Sequence, residues 1–195
     1  MYFHQTLLLA LLSIGGIVAA EDAKSYTDDA TFKQSMLDTT NDARQAHNAS
    51  RLSWNETLAE FAEEWSGKCG FKHSGGPYGE NLASGYANIS AAVGVWRDER
   101  DNYDYNAAKF STETGHFTQL VWKSTTQLGC ARSNCTDKGD APGWFVVCEY
   151  SPPGNFEGQF KENVQRQEGS SGVGRNGIPV RVGVLMVLGW VVVGW

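Results

Sequence analysis

The chain has 195 residues, of which 41% are apolar and 19% charged, so it is long enough for one domain with a hydrophobic core and is not composed like a disordered chain. Its 16 Lys and Arg against 22 Asp and Glu give a formal charge of −6, and no basic run breaks that balance. This excludes a protein built to grip nucleic-acid backbones.

Residues 7–20 read LLLALLSIGGIVAA and are followed by the acidic EDAKS. An apolar stretch ending in Ala19-Ala20 has the pattern of a secretory signal peptide cleaved after Ala20. The stretch is short for a membrane span. Phe32, Met36, Thr40, Ala43 and His47 then recur at helical spacing and predict a helix over about 30–48. Asn55 can cap a second helix, with Leu58, Phe61, Ala62 and Trp65 on one face and Gly67 and Gly70 near its end. Residues 71–86, FKHSGGPYGENLASGY, are rich in Gly and Ser and are expected to form a loop. Ser90 is the expected cap of a third helix running to about 102, with Ala92, Val95 and Trp96 inward. A loop at 103–114 and a helical turn near 116–123 follow. Two strand-like runs close the domain, Gln127–Ser133 and Trp144–Tyr150, joined by the turn-rich TDKGDAPG. Helices first and strands last predict an α+β layered domain.

The C-terminal part reads GSSG at 169–172, a polar spacer ending at Arg181, and an apolar run from Val182 to Trp195. Small residues, spacer and apolar tail match the pattern of a glycolipid-anchor signal, with Ser170 as the attachment residue. The other reading is a Gly-rich terminus on a freely secreted protein. The expected organisation is a signal peptide at 1–20, one domain at 21–165, and a linker with hydrophobic tail at 166–195.

Cys69, Cys130, Cys135 and Cys148 make an even set, which in a secreted chain reads as two disulfides with three pairings open. A zinc knot would need a CxxC pair, and none is present. Sequons stand at Asn48, Asn55, Asn88 and Asn134. His73 and His116 are far apart in sequence. Glu99 lies three or four residues after Val95 and Trp96 and seven after Ala92, on the helical face expected to be buried, so its carboxylate must be paired, hydrogen-bonded or bound to a cation. Glu80 lies in the Gly-rich PYGENL, where backbone can approach closely.

Four motifs then carry a resemblance: HNASR at 47–51, GENL at 79–82, GHFTQLVW at 115–122 and FVVCEYSPPGNF at 145–156. The chain resembles the CAP superfamily of cysteine-rich secretory, antigen 5 and pathogenesis-related class-one proteins. The segments HSGGPYGENLASGY, GHFTQLVWKSTTQLGC and SPPGNFEG look most like its fungal sterol-binding members. Glu149 departs from the polar or basic residue usual after the signature cysteine; lying beside a strand cysteine, it leaves the expected site unchanged.

The resemblance implies a CAP-type α-β-α sandwich with a small antiparallel sheet. It implies a cavity tetrad of His73, Glu80, Glu99 and His116, with His73 and His116 able to hold a divalent cation, Zn²⁺ or Mg²⁺. It implies the pairing Cys69–Cys135 and Cys130–Cys148. It makes His47 and Asn48 structural, which leaves Asn55, Asn88 and Asn134 as the glycosylation candidates. The extra cysteine pair of plant members is absent, which leaves the 103–114 loop freer.

Within that loop Tyr103, Tyr105 and Phe110 form an aromatic pattern similar to the sterol-binding loop of fungal members. The expected function is a secreted, monomeric binder and exporter of sterols or fatty acids at the cell wall or surface, touching membrane only through a lipid anchor. Fatty acid would lie in a groove between helices. A metal-dependent hydrolase is the alternative, although the chain lacks HExxH, a positioned nucleophile and an oxyanion donor. A virulence or immune-modulating interaction protein is the third class.

Overall fold

The computed structural model describes residues 24–167. The expected signal peptide, Ser170 and the apolar tail lie outside them.

Helix α1 spans Asp29–Ala46, and Asp28 caps it by accepting from Thr31 N at 2.8 Å. Its periodic residues Phe32, Met36, Thr40 and Ala43 are all buried. Arg44 is buried too, and it is satisfied by four carbonyls: Ser50, Leu120, Trp122 and Thr125. One guanidinium thus ties α1 to the segment before the hairpin, as a buried cation requires. Strand β1 is Ser53–Trp54, and α2 is Glu56–Ser66, capped by Asn55.

Strand β2 is Gly79–Ser84, inside the segment expected to be a loop. Its Gly and Ser carry no strand signal. Pairing with a neighbouring strand makes it one, with Asn81, Leu82 and Ala83 buried. Helix α3 is Ile89–Asp98, capped by Asn88 and not by Ser90, and a 3-10 turn continues it over Glu99–Asn102. Val95, expected inward, is 38% exposed. Helix α4 is Gly115–Leu120, β3 Gln127–Asn134, β4 Trp144–Ser151 and α5 Phe160–Asn163.

The sheet order is β1-β3-β4-β2. Strands β3, β4 and β2 are antiparallel, whereas β1 runs parallel to β3, so the sheet is mixed and not wholly antiparallel. The reason is topological. Strand β1 is joined to β3 through most of the domain and not through a hairpin.

Alternation along β4 divides the core. Val146, Cys148 and Tyr150 face α1, α3 and α4, while Phe145 and Val147 face α2 with Ala62, Leu82 and Ala131. Helices therefore cover both faces, as in an α-β-α sandwich. Gly129 lets α2 lie close, because a side chain there would run into Ala59 N and Leu58 Cβ. Disulfides join Cys69 to Cys135 and Cys130 to Cys148, the second across a register pair of the hairpin.

Candidate functional site

Glu99 ends α3, and its carboxylate reaches the start of α4. It takes His116 N and Phe117 N at 3.0 Å each, and His116 Nδ1 at 2.6 Å. First-turn N–H groups have no intrahelical partner, so an anion here satisfies them. On the opposite wall Glu80, from β2, makes the same arrangement. It takes His73 Nδ1 at 2.6 Å and Ser74 N at 3.0 and 3.2 Å. Asn81 follows Glu80 and donates to His116 O at 3.0 Å, which links β2 to α4. Trp96 stacks near His116, with ring centroids 6.3 Å apart.

The result is a cleft of about 310 Å³ lined by His73, Glu80, Asn81, Phe110, Gly115 and His116, among others. The four residues expected to form the tetrad are thus brought to one place as two His–Glu pairs. Carboxylates hold both imidazoles through Nδ1, which fixes the Nδ1–H tautomer and leaves each Nε2 as an acceptor. The hydrogen bond to Glu80 raises the His73 pKa above the ordinary imidazole value. Burial pushes the Glu80 carboxyl up, but the hydrogen bonds from His73 and Ser74 outweigh it and hold it below the usual carboxylate range. Among the described residues, no group of three or more His, Cys, Asp or Glu is arranged to hold a metal ion.

The structure adds Glu149, which sequence reasoning had set aside. It is the register partner of Glu80 and is 0% exposed. Burial first, and Glu80 second, push its pKa up to about 9. A signal was present in the sequence: a carboxylate in the middle of FVVCEYS, a run otherwise fit for a buried strand.

The three loop aromatics do not share one surface. Tyr103 is buried, edge-on to Tyr105 at 4.8 Å and tilted against Phe117 at 5.8 Å. Tyr105 is half-buried and lies under the Arg166 guanidinium, 4.6 Å from its ring. Phe110 is 43% exposed and lines the cleft. His47 is buried, bonds Gln165 O through Nδ1 at 2.8 Å and packs edge-on against Phe117. No helix among the described residues is long and apolar enough to cross a membrane.

Residues 37–150 match the model of the cysteine-rich secretory protein family (CAP). The chain is similar to Repressed by EFG1 protein 1 of Candida albicans, 45% identical over 68% of this chain and 50% of that protein. It is similar to Secreted protein RBT4 of the same organism, at 40% over 76% of this chain and 42% of that one. It matches pathogenesis-related protein 1A1 of Solanum lycopersicum at 36%, covering 71% of this chain and 81% of that protein. The chain thus spans about half or less of the length of these fungal relatives.

Among solved structures, venom allergen-like protein 4 of Schistosoma mansoni aligns with a TM-score of 0.55 at 22% identity, over 69% of this chain and 92% of that one. NaASP2 crystallised with Zn²⁺ aligns with a TM-score of 0.52 at 21% identity, over 69% and 84%. These two likenesses establish the fold.

Proposed function

The chain belongs to the cysteine-rich secretory protein family, and from that membership we propose that it is a secreted binding protein whose cleft and adjoining loop take small hydrophobic lipids, sterols foremost. The observation that carries this is Phe110: a large aromatic left 43% exposed beside two imidazoles whose Nε2 atoms have no carboxylate partner. An apolar plate with one hydroxyl suits that combination. Its flat face buries Phe110 at about 25 cal/mol per Å² of apolar surface removed from water, and its rigidity keeps the ordering cost low. Binding, and not catalysis, is the activity of this reading, and no enzyme name occurs among the relatives described above.

His73 and His116 are the residues that would hold a divalent cation. Two imidazole acceptors suit Zn²⁺ better than Mg²⁺, which prefers oxygen ligands. A bound cation would supply positive charge at the cleft floor. Glu80 and Glu99 orient the imidazoles and do not themselves serve as ligands in this arrangement.

Fatty acid is the second ligand, favoured by a groove of about 270 Å³ between α1 and α2. Phe32 and Trp54 line it; its two basic residues, Lys33 and Arg132, are paired with Glu56 and Asp29 at 2.6 Å each, so a fatty-acid carboxylate would have to compete with those partners. Secretion through the 1–20 segment and tethering through Ser170 complete the proposal, with the protein acting as a monomer outside the cell. Of the three glycosylation candidates, Asn134 is exposed, whereas the Asn55 and Asn88 side chains cap α2 and α3. We therefore assign the glycan to Asn134.

The test is lipid extraction from purified protein followed by mass spectrometry, with sterol titration alongside. Saturable sterol binding that weakens in F110A supports the assignment. Fatty acid without sterol would move the ligand to the α1–α2 groove.

A further inference from the structure

The fully buried side chain of Glu149 raises a question of hydrogen-bond accounting. Glu149 stands opposite Glu80 in the β2–β4 ladder and opposite Gly129 in the β3–β4 ladder. Directly opposed residues point to the same face, which here is the face that α2 covers. The neighbours of Gly129 on that face are the Asn55 carbonyl, Leu58 and Ala59, and none of them is ionisable. The charged group facing Glu149 is Glu80, whose side chain it touches, and its chain neighbour Tyr150 feels its charge.

Neither oxygen of Glu149 finds a hydrogen-bond donor in the protein. Glu80 is the reverse case, with its oxygens accepting from His73 and Ser74. Two carboxylates in contact cannot hydrogen-bond, because both only accept. A buried pair carrying two charges and one set of donors is costly. One proton between them removes both problems, and it must sit on the member that no donor reaches.

We infer that Glu149 is held as a neutral carboxylic acid that donates its O–H to the Glu80 carboxylate and so positions Glu80 against His73. Glu149 is then a positioning residue: it keeps one negative charge on each wall of the cleft, facing one imidazole each. This holds whether or not the cleft takes a cation or a sterol, so its test does not depend on that proposal.

The experiment uses the metal-free protein at pH 7. Infrared spectra should show the C=O stretch of a protonated carboxylic acid, and E149Q, isosteric and still a donor, should lose it. A spectrum with no such band in the wild type, or a band that survives in E149Q, would overturn the inference. The second measurement is the ¹⁵N signature of His73, which reports the Nδ1–H tautomer. E149Q should keep that signature, because the amide still donates to Glu80. E149L, which fills the space without a donor, should lose the tautomer bias. An E149L protein that folds with wild-type His73 signals would show that Glu149 does not position Glu80.

Discussion

Glu99 and His116, 17 residues apart in sequence, meet at 2.6 Å, and the same carboxylate receives the N–H groups of His116 and Phe117, the second and third residues of α4. One side chain therefore both starts a helix and orients an imidazole. Removing it leaves three donors without their acceptor. Glu99→Ala should cost about 1–3 kcal/mol in urea unfolding, and it should free the His116 ring. A variant within about 0.5 kcal/mol of wild type, the range of unimportant surface changes, would show that the cap contributes little.

Stability should decline with rising pH because of Glu149. An unfolded glutamate titrates near 4.5, and the folded group near about 9. Below pH 4.5 both states hold the proton. Between the two values the folded chain keeps a proton that the unfolded chain has released, so stability is lost as pH rises through that window. Glu149→Gln removes the linkage and should gain of order 1–3 kcal/mol near pH 7, less at pH 5. Parallel stability–pH curves for the two proteins would contradict this.

Cation uptake should fall on acidification. A proton and a cation compete for His73 Nε2, and the bond to Glu80 raises the pKa of that imidazole. Uptake should therefore begin to fail above the ordinary imidazole range and not only within it. Calorimetric Zn²⁺ titrations between pH 8 and pH 5 would measure this. His73→Ala with His116→Ala should abolish binding without unfolding the domain. A double variant that binds Zn²⁺ like wild type would place the ion elsewhere.

Phe110 and Tyr103 should separate binding from folding. Phe110 is exposed at the cleft, so Phe110→Ala should weaken sterol binding while leaving thermal stability almost unchanged. Tyr103 is buried against Phe117 and Tyr105, so Tyr103→Ala should cost about 2–4 kcal/mol. If Phe110→Ala binds sterol normally, the loop is not the contact surface.

The two disulfides should contribute unequally. Cys69–Cys135 closes a separation of 66 residues and Cys130–Cys148 one of 18. Chain entropy then gives about 4 kcal/mol for the first and about 3 for the second. Chemical denaturation of the paired Cys→Ala variants would rank them, and equal losses would show that loop closure is not the controlling factor.

Helices α1 and α2 and strands β3 and β4 were legible because each carries its own period and its own caps: Phe32-Met36-Thr40-Ala43, Asn55 before Leu58, and the apolar runs of the hairpin. Strand β2 was not, because Gly79–Ser84 becomes a strand only when β4 supplies its hydrogen bonds. The parallel direction of β1 was equally out of reach, since two residues hold no information about a partner so distant along the chain.

At the site, the amino-acid sequence by itself determined which residue types were available, and motif resemblance grouped His73, Glu80, Glu99 and His116. Tertiary structure decided how they pair, each imidazole tied through Nδ1 to one carboxylate, and it divided the loop aromatics between core and cleft. It also decided the place of Glu149. A carboxylate's charge state depends on burial and on the donors that reach it, and both arise from the register of strands and the cover of α2, not from its neighbours in the chain.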